Sequence, residues 1–295
     1  MRKLIGNMQI NRTDMAVEFR TCAKAKRQFG VSSRSVKYDF GVDETVVELK
    51  SHNSLGRERG RYVTFDAPFL FGTHQCEISE MLQDLIKKEI RRLSKGSKNV
   101  LIVGVGNDGL TSDSLGPKTL EKVQISRSFD GTRIGGVAPN VPLISKVSPN
   151  VLGNTGIESF DIVEAVVDKI KPDLLIVVDS LCARSVSRVG QSFQISTAGI
   201  QPGSGVGNRQ KELSVSTLNV PVVAIGVPMV VQTFSLFNDL FADLGGGYDG
   251  LVAEMWGELQ GSGVGELVVT PKEVDYIVET CANIIAKAIN TAFFG

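Results

Sequence analysis

Two hydrophobic patterns alternate along the second half of the chain. "NVLIVGV" and "DLLIVVD" are unbroken aliphatic runs, the pattern of strands buried on both faces. Between them "GIESFDIVEAVVDKIK" repeats apolar residues at helical spacing and stops near Pro172. Upstream, "EISEMLQDLIKKEIRRLSKG" sets Ile78, Met81, Leu82, Leu85 and Ile86 on one helical face, with a basic last turn and a glycine after it. "QSFQIS" and "VPVVAIGVP" predict further strands. "PKEVDYIVETCANIIAKAINTAF" predicts a closing helix with Pro271 in its first turn. Strands alternating with helices need crossover connections. The predicted fold class is therefore α/β, a mostly parallel twisted sheet with helices on both faces, spanning residues 77–295. Residues 15–76 are more polar. There "KYDFGVDETVVELKS" and "GRYVTFDAP" predict strands packed on that core. The glycine-rich "DLGGGYDG" and "LQGSGVGE" read as late loops, and no internal repeat is present.

Composition narrows the classes. Lys plus Arg and Asp plus Glu both number 32, so no global field favours nucleic acid. No apolar run is long enough to suggest a membrane span, and "MRKLIGNMQINRTDMAVEF" lacks the apolar centre of a secretory signal. Cys22, Cys76, Cys182 and Cys281 are far apart, without C-x-x-C spacing, and read as reduced thiols in a cytoplasmic protein. The single Trp256 reads as packing.

The candidate chemistry starts at "VGVGNDGLTSDSLGPK". Gly104, Gly106 and Gly109 form a G-x-G-x-x-G directly after a strand. A dinucleotide loop needs a helix to open within the glycines, facing its N-terminus to the pyrophosphate. Here Leu110, Thr111, Ser112 and Asp113 intervene, so no helix is expected before Ser114. The acid about 20 residues on, Asp130, sits in a turn. A nucleotide is not expected. Two strands lead instead to acids at the carboxyl end of the sheet, where sites of such folds lie: Asp113 and Asp179. A carboxylate after an apolar strand is costly unless paired, hydrogen-bonded or used. Each could equally cap a following helix, "SLGPKTLEKV" or "SLCARSVSRV". A second glycine cluster, "AGIQPGSGVGNRQKEL", holds Gly203, Gly205 and Gly207 beside Arg209 and Lys211. It reads as a loop for a peptide or an anion, or simply as a flexible loop, without the lysine ending of a P-loop.

The blocks "VGVGNDGLTSDSLGPK", "TGIES", "KPDLLIVVDSLCARS", "AGIQPGSGVGNRQKEL", "VPVVAIGVPMVV" and "VTPKEVDYIVETCANIIAKAIN" together resemble the germination protease family of spore-forming bacteria, as do "NRTDMAVEF" and "GRYVTFDAP". The likeness runs from about Arg12 to Asn290, and the core also resembles hydrogenase-maturation peptidases. The resemblance implies an atypical aspartic endopeptidase that degrades small acid-soluble spore proteins, with Asp113 and Asp179 as its catalytic pair and no cofactor. It further implies a zymogen, a homotetramer, and a cytoplasmic place in the developing forespore and spore core. Spore-protein targets of the family are cut after an acid that is followed by an apolar residue and Ala. The acid is typically Glu; Asp14, Met15 and Ala16 carry that pattern with Asp in its place, so residues 1–14 are a candidate propeptide cut between Asp14 and Met15, the alternative being that "NRTDMAVEF" is a strand or cap with an incidental acid. A pocket for an acidic side chain calls for a base, with Arg184, Arg188, Arg209 and Lys211 as candidates.

Departures from the family pattern fall at Gln201, where histidine is usual, and at Met229 and Gln232 in "VPMVVQT". The segment after these is also shorter than the family leads one to expect. The related hydrogenase-maturation peptidases bind a metal through two carboxylates and a histidine. This chain has only His52 and His74, both upstream of the core, so no metal is expected. A metal-dependent maturation peptidase and a non-catalytic binding protein on the same fold remain the alternatives.

Overall fold

In the computed structural model the described residues are 13–18, 29–55, 57–203, 210–233, 235–236 and 267–295. Among them nine strands form one sheet. They are β1 (Val31–Lys37), β2 (Asp43–Leu49), β3 (Gly60–Asp66), β4 (Asn99–Gly104), β5 (Leu143–Val147), β6 (Leu174–Ala183), β7 (Ser192–Ser196), β8 (Val222–Gln232) and β9 (Val268–Val269). The order is β1-β2-β3-β7-β8-β6-β4-β5, with β9 on β8. The strands β5, β4, β6 and β8 are mutually parallel and form the expected α/β core. The N-terminal strands continue the same sheet edge-on, antiparallel through β3 and β7. The glycine-rich stretches after residue 236, Trp256 and Cys22 lie outside the described residues.

Strand alternation sends the apolar runs to two cores. Val100, Ile102, Leu174 and Ile176 meet α1 (Gln75–Leu93), α2 (Leu115–Lys122) and α4 (Val274–Phe294) on one face. Leu101, Val103, Leu175 and Val177 meet α3 (Ser159–Ile170) on the other, through Phe160, Val163 and Val167. Helices thus cover both faces, as the periodicities predict. By length and hydropathy α4 could cross a membrane. Here Ile277, Cys281, Ile284, Ile285 and Ile289 are buried in the first core, so it is a core helix. Pro271 stands ahead of α4 rather than inside its first turn, in a turn closed by Val274 N–H donating to the Pro271 carbonyl at 3.2 Å.

The second face is not covered by α3 over its whole width. Beyond α3, Met15 packs with Leu181, Ala183, Val189 and Val231, and Ala16 with Val47, Leu49, Tyr62 and Ala198. The segment 13–18 therefore crosses the sheet from the end of β6 towards β3 and β2, filling two apolar hollows. Residues 16–18 are helical.

Candidate active site

The glycine turn after β4 exists to hold Asp113. Val105 N–H stays in the sheet, donating to the Val178 carbonyl at 2.9 Å. Gly106 then takes φ +124, a conformation open chiefly to glycine, and a methyl group there would overlap the Asp113 carbonyl oxygen. The chain closes a 3-10 turn, Thr111–Asp113, in which Asp113 N–H donates to the Leu110 carbonyl at 2.8 Å. Asn107 N–H donates to the Asp113 carboxylate at 2.9 Å. No helix opens within the glycines; α2 starts at Leu115, as expected. Gly116 lies against the carbonyls of Val105 and Val178, which lets α2 begin directly over β4 and β6.

Asp179 does not end its strand, for β6 runs on to Ala183. Its residue is 3% exposed, and its carboxylate accepts from Ser180 N–H at 2.8 Å. The capping alternative therefore fails for both acids. No helix follows Asp179 directly, and α2 is preceded by Ser114 at its N-cap, while the Asp113 side chain turns back to Asn107. Burial pushes the Asp113 carboxyl up from 3.8 to about 6, with Asn107 N–H opposing. Asp179 is raised well above the usual carboxylate range, by burial first and then by the charges of Asp113 and Asp14. A pair in this state keeps one proton at neutral pH and can act as base and acid together.

Both acids line one cleft at the carboxyl ends of β4 and β6, with Gly106, Ser180, Leu181, Cys182, Gln201 and Gly203. Asp14 lines it too. Its N–H donates to the Cys182 carbonyl at 3.0 Å, and Cys182 N–H donates to its carboxylate at 2.9 Å. A register shift between Leu181 and Cys182 interrupts the β6–β8 ladder at that point. Downstream, Glu18 is 4% exposed and its carboxylate accepts from Arg184 N–H at 2.8 Å and Ser185 N–H at 3.0 Å. Thus Asp14, singled out by its sequence, lines the cleft with the two acids, while Met15 packs with Leu181, Ala183, Val189 and Val231.

Of the bases expected to read an acid, Arg184, Arg188 and Lys211 are placed elsewhere. Arg188 is ion-paired to Glu18 at 3.4 Å and to Asp66, and Lys211 Nζ sits 3.6 Å over the Phe160 ring. Arg184 meets the segment through its backbone, and neither it, Arg188 nor Lys211 lines the cleft. Gly203 does, whereas Gly205, Gly207 and Arg209 lie outside the described residues. Among the described residues the base beside Asp14 is Arg57, which no sequence pattern marks. Arg57 lines an adjoining polar hollow with Asp14, Glu58, Tyr62, Gln194 and Glu212. Burial lowers its guanidinium pKa, and the charge of Asp14 opposes that shift. Its Nη2 donates to the Thr13 carbonyl at 3.4 Å. No local signal marks Gln194 either.

His52 is exposed and His74 stands at the start of α1, 3.5 Å from Glu77 and with its ring tilted against Phe40. Neither lines the cleft. Gln201 lines it and donates from Nε2 to the Gln210 carbonyl at 2.9 Å, closing the base of its loop. Cys182 is buried, and burial with the charges of Asp14 and Glu18 pushes its thiol up to about 12, which removes it as a nucleophile.

The germination protease of Clostridium acetobutylicum is 37% identical over 315 aligned residues, covering 95% of this chain and 94% of its own. That of Priestia megaterium is 32% identical, covering 95% and 93%. The solved NiFe hydrogenase maturation protease HycI from Thermococcus kodakarensis KOD1 aligns over 68% of this chain and 99% of its own, at 17% identity and a TM-score of 0.37. The family model for germination protease matches residues 9–244, and the chain belongs to the germination protease family.

Proposed function

We propose that the chain is an aspartic-type endopeptidase in which Asp113 and Asp179 activate water. The observation that carries this reading is the meeting of two carboxyls with raised pKa in one cleft. The ionised member of the pair takes a proton from water. The oxygen adds to the carbonyl carbon, and the carbon–nitrogen bond breaks as the protonated member supplies its proton to the leaving amine. The two roles belong to the pair and not to either residue alone.

The substrates proposed, on family grounds, are small acid-soluble spore proteins during germination, with the enzyme a homotetramer in the cytoplasm of the forespore and spore core. We further propose that it is made as a zymogen and cuts itself between Asp14 and Met15. In support, Asp14 lies in the cleft and Met15 and Ala16 fill apolar hollows beside it. Arg57, which shares a hollow with Asp14 and feels its charge, is the base proposed for the acidic side chain. Intact-mass and N-terminal analysis tests this. A new terminus at Met15 in the wild type, absent in Asp113→Asn and Asp179→Asn, is expected. A cut that persists in either variant overturns the dyad.

A further inference from the structure

Gln194 stands in the same row of the sheet as Asp179. Asp179 pairs with Gly226 of β8, and Gly226 pairs with Gln194 of β7. Residues in register project to one face. The neighbours Phe193 and Ile195 go to the opposite core, so Gln194 rises on the face that carries Asp179 and the segment 13–18. Gly226 between them carries no side chain of its own, and the Leu181 side chain lies over it, bordering both the cleft of Asp179 and the hollow of Gln194.

The Gln194 residue is 6% exposed, and both ends of its carboxamide are hydrogen-bonded. Nε2 donates to the Asp14 carbonyl at 2.9 Å, and Oε1 accepts from Ala16 N–H at 2.7 Å. The orientation is forced, since an N–H can face only Oε1 and a carbonyl only Nε2. One side chain therefore brackets the Asp14–Met15 bond, gripping the carbonyl before it and the next amide after it. The paired bonds between Asp14 and Cys182 hold the other side of the same residue.

We infer that Gln194 is a further catalytic residue, the donor that stabilises the oxygen of the scissile carbonyl. This rests on the reading that the Asp14–Met15 bond is a substrate of the Asp113–Asp179 pair. As water oxygen adds to the carbonyl carbon, the electron pair of the C=O moves to its oxygen, and the Nε2–H bond strengthens with that charge. When the tetrahedral species collapses, the pair returns to C=O, Met15 leaves as an amine, and Gln194 is unchanged. The contact through Oε1 sets the register of the peptide.

A neutral donor suits this place. A lysine or arginine would pair with Asp14 and Asp179 and favour their ionised forms, removing the shared proton on which the pair depends. A carboxamide gives a hydrogen bond to the developing oxyanion without adding charge.

The test uses the full chain, with Gln194→Met, which removes both contacts, and Gln194→Glu, which keeps only the acceptor for Ala16 N–H. Intact mass follows the cut at Asp14–Met15, and a synthetic peptide of residues 10–20 reports kcat and KM. Thermal unfolding identifies which variants are folded, and Asp179→Asn serves as control. Both Gln194 variants are expected to slow the cut by about 100- to 1000-fold. With the peptide the loss falls in kcat, and KM for Gln194→Glu stays within about threefold of wild type. A cut that needs Asp179 yet survives at wild-type rate in a folded Gln194 variant, or a loss confined to KM, overturns the role of Gln194 alone. A cut that survives Asp179→Asn overturns the dyad and this role with it.

Discussion

Gly106 passes directly beneath Asp113. A methyl group on it would overlap the Asp113 carbonyl oxygen, and the next amide, Asn107 N–H, holds the Asp113 carboxylate at 2.9 Å. The glycine and the acid are one device. Gly106→Ala must adopt φ +124 or move the turn. We expect a loss of stability of about 1–3 kcal/mol from backbone strain. Hydrolysis falls further than stability does, because the carboxyl is displaced from its partner. Thermal unfolding and peptide hydrolysis on the same preparation separate the two effects. Wild-type activity in Gly106→Ala would show that the turn does not position Asp113.

The pair also sets a pH signature. Asp113 is raised from 3.8 to about 6, so its protonated form is favoured by folding. Its contribution to stability is whole below about pH 4 and is lost as pH rises to about 6, amounting to about 3 kcal/mol at roughly 1.4 kcal/mol per unit. Asp113→Asn removes that loss, so the variant gains on wild type as pH rises through this window. Urea denaturation at a series of pH values measures the difference. Hydrolysis runs the other way. Below about pH 6 the pair holds two protons and has no base, so kcat falls with an apparent pKa near 6 that belongs to the pair.

Arg57 shares its hollow with Asp14. Arg57→Met is expected to reduce preference for an acid before the cut bond, since it removes the cation whose charge couples to Asp14. The ratio of kcat/KM for peptides bearing Asp or Asn at that place falls by about tenfold or more. An unchanged ratio removes Arg57 from specificity.

Thiol reagents and chelators give a fourth expectation. Cys76 is exposed, while Cys182 and Cys281 are buried with raised thiols. Native alkylation therefore modifies Cys76 without abolishing hydrolysis. Both histidines lie outside the cleft, so the carboxylate–histidine ligand set of the maturation peptidases is not assembled from the described residues. Hydrolysis is expected to persist after exhaustive chelation. Loss on chelation with recovery on adding a divalent metal would overturn the two-aspartate reading.

What was legible in the chain was what local pattern controls. β4 and β6 are covered on both faces and so are unbroken apolar runs; α1 and α3 keep one apolar face each. Asp113 and Asp179 stand out because acids seldom follow such runs. β1 left no trace, being an exposed edge strand with a partner on one side only. Gln194 reads locally as one of the polar residues of an alternating strand. Its place beside the segment 13–18 comes from the register across Gly226, which brings together residues far apart in sequence. Arg57 was silent for the same reason: its partner Asp14 reaches it only after the N-terminal segment has crossed the sheet.

Asp179 lies inside β6, paired with Gly226 of β8 and one residue past the last β4 pair, Gly104–Val178, and Asp113 is clasped by a turn whose backbone favours glycine at one point. Adjacent strands keep a spacing of about 4.8 Å. Asp179 is thus held by the sheet itself, and Asp113 by a turn tied down through Leu110 and Asn107. Such a reagent is always cocked. Restraint has to be exercised at the door, by whatever occupies the cleft and by which peptides are let in, and not by dismantling the pair.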